Sequence, residues 1–153
     1  MPGRAFGTGR GGRAQPPERR PPMSLVILYL STALIFLVLD AIMLSTVMRP
    51  LFERYIGDML GDLNLGAAAG FYLFYVAALL WLVSWPALSD QGYGRLILNA
   101  AIFGAAAYGT YEFTNLATLR GWSWQMVAVD LTWGTVLTAV SATAGVAITR
   151  ALT

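Results

Sequence analysis

Three acidic residues lie inside otherwise apolar segments of the sequence and are its first candidates for chemistry: Asp40, Glu112 and Asp130. An ionised carboxylate in the hydrocarbon core of a membrane costs about 2.5–3.5 kcal/mol on insertion scales, so each should face the protein interior and have a partner there. Acids crowded in a low dielectric oppose one another's ionisation, which favours the holding of a proton. The residues predict a buried proton or cation site, or a polar pocket for a ligand headgroup. The alternative is structural: a hydrogen-bonded acid that fixes helix register.

The segments that carry these acids are long and apolar enough to cross a membrane. Hydrophobic residues make up 57% of the 153 residues and charged residues 12%, whereas soluble domains are roughly 25% charged. Four spans are predicted at about 24–47, 66–85, 96–119 and 123–148, each near the ~20 residues that a transmembrane helix needs. The predicted fold is an all-α integral membrane four-helix bundle that occupies residues 23–153 as one domain.

The connections and the tail are predicted from local signals. Arg49-Pro50 should end the first span, and a short interfacial helix should follow it. Asp62 or Asn64 should cap the second span, which Pro86 stops. Residues 1–22, rich in Gly, Pro and Arg, are predicted to be disordered. Two interpretations stay open: the tail lies upstream of the true start at Met23, or it is a basic cytoplasmic arm that touches anionic lipid headgroups.

The three acids are predicted to lie at one depth. At 1.5 Å per residue, Asp40, Glu112 and Asp130 each lie about 10 Å from the same predicted membrane surface. Helical spacing places Tyr108 on the face of Glu112, where its hydroxyl can donate a hydrogen bond to that acid. Asn115 follows on the same face and can bridge to another helix. Together these residues predict a buried polar site built by three helices.

Other residues near this layer have two interpretations each. Trp133 is either a packing residue or a pocket wall, and Trp122 and Trp124 are interpreted as interfacial belt residues. Arg49 and Arg120 flank the layer as candidate counter-ions, although an Arg beside a span commonly only anchors it at the headgroups. The fourth span carries a stripe of small and polar residues that favours close helix packing: Asp130, Gly134, Thr138, Ser141 and Gly145.

The arginines predict an orientation. In a four-span protein the tail, the second connection and the C-terminus share one side, which holds Arg4, Arg10, Arg13, Arg19, Arg20, Arg95 and Arg150. The opposite side holds Arg49, Arg54 and Arg120. Because cytoplasmic loops are enriched in positive charge, both termini are predicted to be cytoplasmic in a bacterial inner membrane.

Composition excludes several functions. The chain has no Cys and no His, and all ten basic residues are Arg, so disulfides, thiolate or imidazole metal sites and Schiff-base chemistry are excluded. The three acids leave an enzyme open, as acid, base or divalent-metal ligands, but no reaction motif accompanies them. An enzyme is therefore not favoured, and no cofactor is predicted. Whether the acids bind a metal ion stays open. Nucleic acid is not an expected partner.

Two segments carry a resemblance to a known family. With YEFTNLATL at residues 111–119, Trp122, and VDLTWGT at residues 129–135, the chain from 24 to 148 resembles an uncharacterised family of bacterial four-span membrane proteins, the domain of unknown function 2177. The resemblance implies motif positions at Asp40, Glu112, Asn115, Asp130 and Trp133, and no activity. Glu112 stands where the family usually has Asp, and Met43 where it usually has Trp.

The sequence thus predicts an integral membrane protein of unassigned activity with a buried cluster of carboxylates. A small proton- or cation-coupled carrier subunit is the first alternative, and a structural or partner-binding protein the second. Four spans make a narrow bundle whose interior side chains normally fill, so a conduit would need a homo-oligomer. The lipid bilayer is the predicted partner, and the ligand is left open.

Overall fold

The computed structural model describes residues 22–89 and 92–153, and these residues form four helices. The helices are α1 (Pro22–Met59), α2 (Leu65–Ala87), α3 (Tyr93–Thr118) and α4 (Trp124–Leu152). The all-α prediction is confirmed. Residues 1–21, on which the prediction of a disordered tail rests, lie outside the described residues.

Three of the four helices are candidate membrane spans by length and composition. Their most apolar windows have mean hydropathies of 2.5 in α1, 1.9 in α2 and 1.5 in α4. The remaining helix, α3, has 26 residues and is long enough to span. It does not reach the same apolar composition, because its second half carries Tyr108, Glu112 and Asn115. Within the described residues, composition alone therefore marks three spans and not the predicted four.

The first helix does not end at Arg49-Pro50, which corrects the predicted boundary. A π-helical turn at Leu44–Met48 leads directly into the helical segment Arg49–Ile56. Proline lacks an N–H and clashes with the carbonyl four residues earlier, and the wider π turn relieves both problems. The predicted interfacial helix is therefore continuous with the first span as far as Ile56, and a 3-10 turn at Gly57–Met59 ends α1.

The helix α2 also contains a π-helical turn near its end. A π turn at Leu80–Ser84 precedes Pro86, and the helix stops one residue later, at Ala87. At its start the side chain of Asn64 accepts a hydrogen bond from the backbone N–H of Ala67 at 3.0 Å. This confirms Asn64 as the cap that the sequence predicts, because an N-cap side chain satisfies one of the free N–H groups of the first turn.

The helix α4 is the most buried helix, and it packs most extensively against α3 and α1. Its small residues let the neighbouring helices approach closely, as the stripe predicts. A Cβ built on Gly104 of α3 would lie 2.6 Å from the carbonyl oxygen of Gly134. Gly134 itself faces the ring of Tyr108, and Gly145 faces Thr32 of α1. These contacts set the spacing of the three helices around the acids.

A second, smaller core covers the turn between α3 and α4. Its centre is formed by Trp122, Met126 and Val127, and the end of α1 packs onto it. The hydroxyl of Tyr55 donates a hydrogen bond to the side-chain oxygen of Gln125 at 2.8 Å. Gly121 has a φ of 89°, which turns the chain tightly beside α1. The extension of α1 thus closes this end of the bundle over the turn.

Candidate functional site

Asp40 is held between helices. Its side chain is 7% exposed on α1, and its Oδ1 accepts a hydrogen bond from Nε1 of Trp133 on α4 at 3.2 Å. The hydroxyl of Tyr72 on α2 lies close to the same carboxylate. Both neighbours are neutral, so the charge of an ionised Asp40 is not neutralised by them. Trp133 therefore supplies a polar contact in addition to packing.

Glu112 is fully buried on α3, with 0% exposure. Its Oε2 accepts a hydrogen bond from Nε1 of Trp122 at 2.8 Å. The indole is fixed by the rings of Phe52 and Tyr111, whose centroids each lie 5.6 Å from that of Trp122. The second oxygen, Oε1, is buried and receives no hydrogen bond within the described residues. Glu112 is thus a buried acid with a hydrogen bond to only one of its two oxygens among the described residues.

Asp130 of α4 is the neighbour of Glu112, and the two carboxyl groups lie within hydrogen-bonding reach of each other. Asp40 is the more distant member, near enough for its charge to act on Asp130. In the described part of the chain no group of three or more Asp, Glu, His or Cys side chains is arranged to hold a metal ion. Glu112 is therefore the nearer acidic neighbour of Asp130, and Asp40 the more distant one.

A partly open cavity of about 420 Å³ lies beside the acids. Both Asp40 and Asp130 line it, whereas Glu112 is not part of its wall. The lining residues come from the second half of α1, the first half of α2, the second half of α3 and the first half of α4. The cavity therefore lies at the end of the bundle where the 60–64 linker and the α3–α4 turn are found.

The rest of the cavity wall is aromatic and apolar. Leu44 and Met48 come from the π turn of α1, and such turns frequently occur at functional sites. The aromatic residues of the wall are Phe52, Phe71, Tyr72, Tyr75, Tyr108 and Tyr111. The hydroxyl of Tyr75 pairs with that of Thr138 at 2.8 Å, while that of Tyr108 is buried and has no hydrogen bond to any described residue. Two acids in an aromatic wall are suited to binding a positive charge.

The sequence profile of a family described as predicted membrane proteins, DUF2177, matches residues 25–147. The chain belongs to this family. The match confirms the resemblance carried by segments 111–119 and 129–135, and it establishes a multi-pass membrane protein. No curated protein and no solved structure gives a significant match. The function of this family member must therefore be inferred from the geometry of the site.

Two predicted neighbours of Glu112 have other contacts in the DUF2177 protein. Tyr108 does not donate to Glu112: its ring packs on the backbone of Gly134, and its buried hydroxyl has no hydrogen-bond partner among the described residues. The side chain of Asn115 lies close to the hydroxyl of Tyr111, one turn away on its own helix. Glu112 instead obtains its hydrogen bond from the turn beyond α3.

The candidate counter-ions of the DUF2177 protein lie away from the carboxylates. Arg49 forms an ion pair with Glu53 at 2.9 Å, one turn along α1, and its side chain is 74% exposed. Arg120 is exposed in the α3–α4 turn. Neither forms an ion pair with Asp40, Glu112 or Asp130 in the part of the chain that the structure describes. The buried acids are thus not neutralised by these arginines.

Sequence reasoning missed two site residues of the DUF2177 protein. Trp122 was assigned to the interfacial belt, but it is 8% exposed and holds Glu112. Trp124, assigned to the same belt, is 69% exposed. A buried indole N–H usually needs an acceptor, which was the available signal for Trp122. No sequence pattern indicates that Tyr72 lies close to Asp40, because this proximity depends on how α1 and α2 pack.

Proposed function

We propose that Asp40, Glu112 and Asp130 form one polar site in a four-span bacterial inner-membrane protein, and that this site binds and releases a proton. A small proton-coupled carrier is the activity that such a site would serve. The observation that supports the proposal most strongly is the proximity of the half-buried carboxyl group of Asp130 to that of the fully buried Glu112.

Electrostatics gives the reason. Two carboxylates at hydrogen-bonding distance repel one another when both are ionised, and a shared proton turns the repulsion into a hydrogen bond. Trp122 is a neutral donor to Glu112 and brings no positive charge. A proton on Asp130 would also supply the donor that Oε1 of Glu112 lacks. The pair is therefore suited to carrying one proton and exchanging it.

The cavity provides access to the pair. Asp130 lines the cavity and contacts Glu112, which lies behind the wall. A proton from the cavity would reach Asp130 first and then be shared with Glu112. Asp40, on the same wall, favours positive charge in the cavity. A substitution at one acid should therefore alter the protonation of the other two and their contributions to stability.

Infrared spectroscopy of the purified protein tests the shared proton. The wild-type protein is expected to show the C=O band of a protonated carboxyl group at neutral pH. Glu112→Gln and Asp130→Asn should each remove that band, because the new amide N–H replaces the proton as donor and leaves the other acid ionised. Asp58→Asn, which changes an exposed acid in the last turn of α1, should leave the band unchanged.

The same variants test whether the acids act together. Unfolding free energies of Glu112→Gln, Asp130→Asn and their double variant should be non-additive by about 0.5 kcal/mol or more, as contacting residues generally are. Asp40→Asn should be non-additive with Asp130→Asn. A C=O band that survives both single amide substitutions, or additive effects at every pair, would contradict the shared site.

The packing of α3 supports the four-span arrangement. The short α3–α4 turn makes the two helices antiparallel neighbours, and they share the most extensive interface in the described fold. If α4 spans the bilayer, α3 lies beside it at the same depth, with Glu112 facing the interior. The polar residues of α3 then explain its lower hydropathy without placing it outside the membrane. Both termini are proposed to be cytoplasmic.

Reporter fusions test this topology. A reporter inserted in the 60–64 linker and one fused after Thr153 should be on opposite sides of the membrane if four helices span. If α3 does not span, three crossings would put both reporters on the same side, which would contradict the proposal. The compartment in which the Thr153 fusion is active then gives the orientation directly. A fusion in the segment 88–92 is the control, since it should share the side of Thr153 only in the four-span protein.

A structural or partner-binding role is the second candidate. Gly104, Gly134 and Gly145 place α4 against α1 and α3 so closely that side chains larger than glycine do not fit. Such packing specifies a single arrangement of helices whether or not a ligand binds. This role predicts that amide substitutions at the acids cost at most about 1 kcal/mol each and change no proton signal.

A further inference from the structure

We infer that the cavity binds a monovalent organic cation, with an ammonium-type head and apolar substituents. This inference names the ligand class of the site proposed above and rests on that proposal for the placement of the cavity within the membrane. The relevant features are its charge, its aromatic wall and its size.

The charged side chains that line the cavity are all acidic. Asp40 and Asp130 line the wall, and no Arg is among the lining residues that the structure describes. The contacts of Asp40 are to Trp133 and Tyr72, both neutral. A cation is therefore attracted, whereas an anion is repelled.

The aromatic wall favours an organic cation over a hydrated inorganic one. The rings of Tyr75 and Tyr108 meet edge to face at a centroid distance of 6.4 Å, and Phe71 lies 6.1 Å from Tyr75. Ring faces attract alkylammonium groups, most strongly where water is excluded. The carboxylates alone do not form a metal site in the described residues. Aromatic side chains thus supply the contacts that additional oxygen ligands would otherwise provide.

The size of the cavity agrees with a small organic molecule. Its volume of about 420 Å³ lies within the roughly 300–1,000 Å³ of typical ligand sites. This is far more space than a single metal ion needs.

Two sources can present this chemistry: a free organic amine, and the ammonium headgroup of a phospholipid. Binding is therefore measured in nanodiscs made only of phosphatidylglycerol, which has no amine. The probe is phenyltrimethylammonium, and its neutral control is tert-butylbenzene, which has the same shape but no charge. Adding phosphatidylethanolamine should displace the probe if the headgroup is the source, and should leave it bound if a free amine is.

Calorimetric titration should show saturable binding of phenyltrimethylammonium and about tenfold or more weaker binding of tert-butylbenzene. Asp40→Asn should weaken the cation about tenfold or more, and it keeps an acceptor for Trp133. Phe71→Leu should weaken it several-fold, because an apolar but non-aromatic wall remains. The matched control is Phe74→Leu on the same helix, 70% exposed and not part of the wall, which should bind as the wild type does.

Equal affinity for the two probes, or equal affinity in Phe71→Leu and Phe74→Leu, would overturn the inference. The infrared band of the proton pair is recorded on the same samples. A protein that keeps this band but does not distinguish the probes contradicts the cation site alone. A protein that binds the cation selectively but lacks the band supports the cation site and contradicts the proton site.

Discussion

Gly134→Ala is expected to lower the melting temperature of the protein substantially. A Cβ at this position would overlap the ring of Tyr108, at the ring's base and not at a flexible end. Overpacking of this kind costs about 1–3 kcal/mol, and more where neither neighbour can move. Tyr108 is confined by its contact with Tyr75, and Gly134 lies on α4, the most buried helix. The measurement is thermal unfolding of the detergent-solubilised protein.

Gly70→Ala on α2 is the matched control. A Cβ there meets nothing within 4 Å, so the substitution should leave the melting temperature unchanged or raise it through better helix propensity. Reducing the ring should rescue the defect, so the double variant Gly134→Ala with Tyr108→Ala should melt above Gly134→Ala alone. Equal melting temperatures for Gly134→Ala and Gly70→Ala would show that α3 and α4 are farther apart than described.

Trp122→Phe is expected to destabilise the protein by about 1–3 kcal/mol, the cost of leaving a buried polar group without its partner. Phenylalanine preserves ring contacts with Phe52 and Tyr111 but removes the N–H that Oε2 of Glu112 accepts at 2.8 Å. Glu112 is 0% exposed and cannot turn to water. Its other oxygen already lacks a hydrogen-bond donor in the described structure. Thermal or denaturant unfolding measures the loss.

Trp124→Phe provides the control, because Trp124 is 69% exposed and packs edge to face on Phe113. The same chemical change there should alter stability by less than about 0.5 kcal/mol. Adding Glu112→Gln to Trp122→Phe should recover part of the loss, since a neutral amide is cheaper to bury than a carboxylate. If Trp122→Phe and Trp124→Phe behave alike, the indole does not hold Glu112.

Some of the architecture could be predicted because its causes are local. Apolar runs define α1, α2 and α4 as candidate spans, since the transfer of each side chain to lipid is nearly independent of its neighbours. Asn64 could be predicted as a cap from its own side chain and the first turn that follows it. The burial of Asp40 and Glu112 follows from the cost of exposing a charge to lipid.

Other features depend on contacts between residues far apart in the chain, and only the tertiary structure decided them. Pro50 was expected to stop α1, but the π turn before it and the packing of the next turns on Trp122 carry the helix onward. Tyr108 and Glu112 share a helical face, yet close packing at Gly134 directs Tyr108 to the cavity. Glu112 accepts a hydrogen bond from Trp122, and Asp40 accepts one from Trp133. The packing of the helices against one another determines both pairs, and the spacing of residues along a single helix does not.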